Sequence, residues 1–126
     1  IMKIIKYESK YRDDLIFMVL EAKNALNRVP TLNEDLLDID EYYFNKGDMF
    51  WIMLDDNNRV IGSVGCNLLQ NGKAVLHRLY VKADMKRQGI GTKLLETAED
   101  LARKNGRTVM ELHLGEKIYR VLHKCC

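Results

Sequence analysis

Leu76-His77-Arg78-Leu79-Tyr80-Val81, a short spacer, then Lys86-Arg87-Gln88-Gly89-Ile90-Gly91-Thr92 is the run that decides how this 126-residue chain folds. The first part belongs to a stretch from 74 to 81, rich in apolar and aromatic side chains, that reads as a strand. From 90 to 105, Ile90, Leu94, Leu95, Ala98, Leu101 and Ala102 recur with a period near 3.6, which predicts an amphipathic helix. Arg103 and Lys104 suit its C-terminal dipole, and Asn105-Gly106 stops it in the left-handed way. A strand at 109–114 follows. The helix is then a crossover, and the two strands it joins are parallel if they share a sheet.

Residues 3–7 read as a first strand and 11–28 as a helix ended by Val29-Pro30, the chain's single proline. Thr31, with Glu34 three residues on, predicts a capping box for a second helix reaching about Tyr43. Asn45-Lys46-Gly47 breaks it. Met49–Leu54 and 60–69 are strand candidates around the hairpin loop Asp55-Asp56-Asn57-Asn58, and Asn71-Gly72 is the next turn. Residues 116–126 read as one to three last helical turns. The expected fold is α/β: a mixed antiparallel and parallel sheet with helices on both faces, in one domain spanning 1–126.

Composition bounds the function. No apolar run is long enough to span a bilayer, and no charged n-region precedes an apolar h-region. Ile1 precedes Met2, so Met2 is expected to be the natural start. Three cysteines, Cys66, Cys125 and Cys126, make no disulfide framework and fit a reducing cytoplasm. The net charge of +2 hides an asymmetry. Residues 1–66 hold 8 basic and 12 acidic side chains, and residues 67–126 hold 12 basic and 6 acidic. That split suits two partners of opposite sign, although solvated surfaces give it equally.

The loop before the 90–105 helix carries chemistry. The first helical N–H groups lack intrahelical partners, and the dipole is positive there. Gly89 and Gly91 let a ligand approach the backbone, and Lys86 and Arg87 add full charges. This is an anion site suited to a pyrophosphate. A Walker A loop needs Gly-Lys-Ser/Thr, and Gly91-Thr92-Lys93 has the wrong order. A Rossmann fingerprint needs a third glycine where Leu94 stands.

The residues 76–95 closely resemble the core of the general-control-related N-acetyltransferase (GNAT) superfamily: Gln/Arg-x-x-Gly-x-Gly/Ala after a strand reading roughly Leu-Tyr-Val. The order of elements matches over most of the chain. Lys86 departs from the usual Gln or Arg, keeping the charge without the planar fork. The resemblance implies acetyl-CoA as co-substrate, with amides of 87–92 on its pyrophosphate and Thr92 adding a hydroxyl. Leu79, Tyr80, Val81, Lys86, Arg87, Gln88, Gly89, Ile90, Gly91 and Thr92 are the implied cofactor-binding residues. The strands at 74–81 and 109–114 would splay to admit the pantetheine arm. A backbone N–H near Leu79 would polarise the thioester carbonyl. The implied reaction is direct transfer to a primary amine of a small molecule or peptide, in a cytoplasmic enzyme.

The proton carriers are less sharply marked. Many relatives have Glu where this chain has Val75. His77, Glu111 and His123 are the catalytic candidates, and alternation puts Glu111 and His113 on one strand face. Relatives use a Tyr of the last helix as thiolate acid; His123 falls near that position and Tyr119 one turn earlier. Cys125, Cys126 and His123 lack the spacing of a zinc site, so no metal is expected. Cys66 reads as a small core residue. Glu34, Asp35, Asp38, Asp40 and Glu41, with Tyr42, Tyr43 and Trp51, suit a cationic amine, or form an ordinary solvated face. The family continues with two further strands, so this chain is expected to be short at its C-terminus, with an open sheet edge that a second copy would complete. No nucleic-acid module is present in the basic half. The alternatives are a non-catalytic acyl-CoA-binding or regulatory module of the same fold and a nucleotide-binding protein using the same loop.

Overall fold

In the computed structural model, which describes residues 1–113 and 116–123, six strands lie side by side in chain order. They are β1 (Lys3–Lys6), β2 (Met49–Leu54), β3 (Val60–Leu68), β4 (Lys73–Val81), β5 (Val109–His113) and β6 (Lys117–Val121). All neighbours are antiparallel except β4 and β5, which the crossover makes parallel. The helices are α1 (Arg12–Ala25), the one-turn α2 (Ile39–Tyr42) and α3 (Ile90–Lys104).

Strand alternation sorts the core into two layers. Phe50, Ile52 and Leu54 of β2 point into a cluster with Leu15, Met18, Val19 and Ala22 of α1. Trp51 and Met53 point the other way, against Ile90, Leu94 and Ala98 of α3. Both faces of β2 and β3 are thus covered, which is why their sequences are apolar almost throughout. Trp51 lies in the α3 layer and is 7% exposed, so it does not join the acidic segment where the sequence placed it.

The long helix ends as read. Gly106 is left-handed, and the Arg107 N–H reaches back to the Ala102 carbonyl at 2.9 Å. Two readings are corrected. Residues 31–43 form no single capped helix: a 3₁₀ turn at Glu34–Leu37 is separated from α2 by Asp38, whose φ of −149° interrupts helical geometry. Asp38, not Thr31, caps α2 by accepting from the Glu41 N–H at 3.1 Å. The segment after β5 is a strand, not a helix. Lys117–Val121 alternates, is β-branched and aromatic in part, and gains a ladder with β5 from Val109↔Val121 to His113↔Lys117. The 109–114 edge that was expected to lie open is therefore covered by β6. Cys125 and Cys126 lie outside the described residues. Among the described residues no helix is long and apolar enough to cross a membrane.

Candidate active site

The parallel pairing of β4 with β5 stops after Lys73↔Val109, Ala74↔Met110 and Val75↔Glu111. Beyond Val75 the strands part, and a cleft of about 390 Å³ opens between them, lined by Leu26, Arg28, Leu76–Tyr80 and His113. A second cleft, about 380 Å³, continues along the end of β4 to the head of α3. Leu79, Tyr80, Val81, Lys86, Arg87, Gly89, Ile90, Gly91 and Thr92 line it, so nine of the ten cofactor-binding candidates surround one space. Gln88 is exposed and outside that lining; its side chain reaches Met85 sulfur at 3.9 Å.

The head of α3 has the features expected of an anion site. Gly89 precedes the helix at φ +77°, and no side chain caps it. Among the described residues the N–H groups of Ile90, Gly91 and Thr92 meet no acceptor, while the Lys93 N–H already bonds the Gly89 carbonyl at 3.0 Å. Arg87 is also left-handed, at φ +68°, so successive amides around the turn form a concave rather than extended surface. A Cβ on Gly89 would meet nothing within 4 Å, which leaves its open side to a ligand. Gly91 sits closer, 3.5 Å from Val81 Cγ2 for an added Cβ.

On the floor, β4 carries a bulge. Ser63 faces Tyr80 and Gly65 faces His77, so Arg78 and Leu79 share the place opposite one residue and have no register partner. Arg78 takes φ +53°, rare for a side-chain-bearing residue. Its guanidinium grips Asp35 in a fork, Nε and Nη2 at 3.0–3.2 Å. Tyr43 hydroxyl donates to the same carboxylate at 2.7 Å. Burial pushes the Asp35 pKa up, but the donors from Arg78 and Tyr43 bring it below the ordinary carboxylate range. This triad was not legible locally, because its members come from three elements. The acidic segment is thus partly neutralised: beside Arg78, a third cleft, of about 360 Å³, holds Glu34, Asp35, Tyr42, Tyr43, Lys46, Asn67 and His77.

His77 borders both this cleft and the one between the strands. Burial, then the nearby Arg78 charge, lowers its pKa below the ordinary value, so at neutral pH it is an uncharged imidazole. Glu111 is on one face with His113, as alternation predicts, and is spoken for. His113 Nε2 lies at 2.6 Å and Lys73 Nζ at 2.9 Å, and these bonds hold its pKa at about 2. His123 follows β6, which runs antiparallel to β5 and ends beside Val109. The expected last helix would have returned it to the cleft; the strand carries it to the opposite end of the sheet. Cys66 is fully buried and burial pushes its thiol up to about 12, so it is an inert core residue.

The sequence profile of the Acetyltransferase (GNAT) family matches residues 16–121. The chain belongs to the GNAT family. An uncharacterized N-acetyltransferase of Methanocaldococcus jannaschii is 30% identical over 96 residues, a match covering 60% of this chain and 42% of that protein. The chain therefore spans less than half of that relative's length. A GNAT acetyltransferase of Staphylococcus aureus Mu50 superposes with a TM-score of 0.81 at 26% identity, covering 89% of this chain and 73% of that one. A GNAT acetyltransferase of Brucella melitensis, crystallised with acetyl-CoA, shares the fold at a TM-score of 0.69 and 18% identity, covering 89% and 75%. The GNAT sheet thus supplies the setting for the bulge, the splay and the α3 turn.

Proposed function

We propose that the chain is an acetyl-CoA-dependent N-acetyltransferase that acylates a primary amine of a small molecule or peptide. The observation that carries this is the continuous cleft running from the partnerless amides of α3, along the bulged floor of β4, to the gap between β4 and β5. The names of the relatives and the acetyl-CoA held by the Brucella enzyme support it.

The residues present fit the coenzyme. The amides of 87–92, with the charges of Lys86 and Arg87, would hold the pyrophosphate, and the open side of Gly89 leaves room for it. Leu79, Tyr80 and Val81 would line the pantetheine arm where β5 has left the sheet. Acetyl-CoA supplies an acetyl thioester. The Leu79 N–H, with no partner in the strand register, would donate to the thioester carbonyl oxygen and stabilise the charge that develops there. Neutral His77 would take the proton of the attacking amine, from its position between the two clefts. Glu111 is excluded from that role, since a carboxylate held at about 2 by two donors is too weak a base. Of the two acids lining the cleft beside Arg78, Asp35 is engaged by Arg78, so Glu34 is the one left to attract a cationic acceptor.

A second reading, acyl-CoA binding without catalysis, is favoured by one observation: neither Glu111 nor His123 is placed for proton transfer. Thermal-shift titration with acetyl-CoA, CoA, ATP and NAD, followed by thiol release over an amine panel, decides between them. Acetyl-CoA should raise the melting temperature, and Gly89→Asp should abolish the shift by placing bulk and negative charge at the pyrophosphate. Preference for ATP or NAD would sink both readings. Saturable binding with no thiol release would favour the second.

A further inference from the structure

The left-handed Arg78 is held from both ends. Its carbonyl accepts the Ser63 hydroxyl at 2.8 Å, from a serine that is fully buried. Its side chain forks onto Asp35, whose carboxylate also accepts from the buried Tyr43. A non-glycine residue at φ +53° within a strand costs energy and persists only where its surroundings fix it. An Arg–carboxylate fork supplies direction as well as attraction, which a point charge does not.

The other end of the fork is the 3₁₀ turn Glu34–Leu37, which lies on the acceptor side. The approach to that turn is tied by a second buried cation. Lys23 Nζ, from α1, donates to the Thr31 carbonyl at 2.7 Å and to Asn33 Oδ1 at 2.5 Å. The stretch 31–37 offers little apolar anchorage, since Leu32 and Leu37 are both 46% exposed and only Leu36 is buried in the core. Polar clamps, not a hydrophobic face, hold this wall of the cleft.

We propose that Asp35 is a positioning residue which, through Arg78, fixes the β4 bulge beside the cleft, where the Leu79 N–H would donate, and so ties the acceptor wall to carbonyl polarisation. Asp35 does not touch the reacting atoms. Its carboxylate sets the direction of the Arg78 side chain, and Ser63 sets the carbonyl, so the peptide linking Arg78 to Leu79 is constrained on both sides. Tyr43 fixes the carboxylate in turn. This rests on the acetyl-CoA reading above.

The test is difference infrared spectroscopy of acetyl-CoA labelled with ¹³C at the thioester carbonyl, beside calorimetric binding and thiol release. The wild type should bind acetyl-CoA and lower the carbonyl stretching frequency. Asp35→Asn should bind with an unchanged Kd, because the α3 turn is untouched, yet lose the frequency shift and release thiol about 10- to 100-fold more slowly, somewhat less than outright loss of an oxyanion donor. Arg78→Lys keeps the ion pair but not the fork and should show an intermediate shift. It also serves where Asp35→Asn fails to fold. A wild-type protein that binds no acetyl-CoA would overturn the coenzyme reading itself. Wild-type binding without a shift would overturn carbonyl polarisation by the Leu79 N–H and the positioning role with it, and a full shift in both variants would overturn the positioning role alone.

Discussion

His77 and Glu111 sit on adjacent parallel strands, yet their surroundings push them toward different duties. Burial and the Arg78 charge hold His77 neutral, ready to accept a proton. Two donors hold Glu111 ionised. His77→Gln should lower kcat about 100-fold, the usual scale for a general base. In the wild type the acid limb of kcat/KM should lie below pH 6.5, because the folded pKa is lowered and the neutral form is the active one. A limb above that value would remove His77 from the role. Glu111→Gln should leave kcat near wild type and change stability instead. A depressed carboxylate pKa contributes stability above the unfolded value near 4.5 and loses it as pH falls toward about 2. Melting curves over that window should decline less steeply for Glu111→Gln than for the wild type. Parallel curves would show that the Lys73–Glu111–His113 contacts contribute nothing to folding.

Close approach of elements makes a different kind of prediction. Gly65 of β3 lies where an added Cβ would come within 2.8 Å of Tyr43 Cε1 and 2.9 Å of Phe50 Cδ2. Those rings pack edge to face at 5.0 Å between centroids, and both are buried. Neither can swing aside, so Gly65→Ala should destabilise the protein by about 1–3 kcal/mol, read from urea denaturation. It should also loosen Tyr43 from Asp35. Such contacts explain which elements the sequence disclosed. The 90–105 helix and the meander showed themselves because their periodicity is local and long. Lys117-Ile118-Tyr119-Arg120-Val121 is only five residues, too short for periodicity to separate helix from strand. The ladder with β5 decides it, and that pairing is absent from the local pattern. The 31–43 segment misleads for the opposite reason. Its capping box is a sound local signal, but Lys23 draws Thr31 and Asn33 toward α1, and Asp38 starts a new turn.

Across the whole molecule, the charge split first visible in the sequence does not map simply onto two partners. The acidic half spends Asp35 on Arg78 of the basic half, 43 residues away, and Asp14 on Arg59 and the Val60 N–H. That pairing explains why the wall at Glu34–Leu37 was poorly legible while the α3 turn was clear: the turn is contiguous, whereas that wall is tied to β4 by an ion pair 43 residues apart in sequence. Lys86 and Arg87 are both exposed and are among the basic side chains of the second half without ion-pair partners among the described residues. Exposed charges act through solvent and are screened by salt. If they serve the coenzyme's phosphates, acetyl-CoA affinity should fall steadily as salt rises from about 0.01 to about 1 M, over which the screening length shrinks from about 30 to about 3 Å. A Lys86→Gln, Arg87→Asn double variant should bind more weakly at low salt and show a flatter dependence, converging on the wild type at high salt. Asn is chosen because it tolerates the left-handed conformation at 87. Equal slopes in calorimetric titrations would mean that the amides of α3 bind without these charges. The basic character of the second half would then be a property of its surface, not of its site.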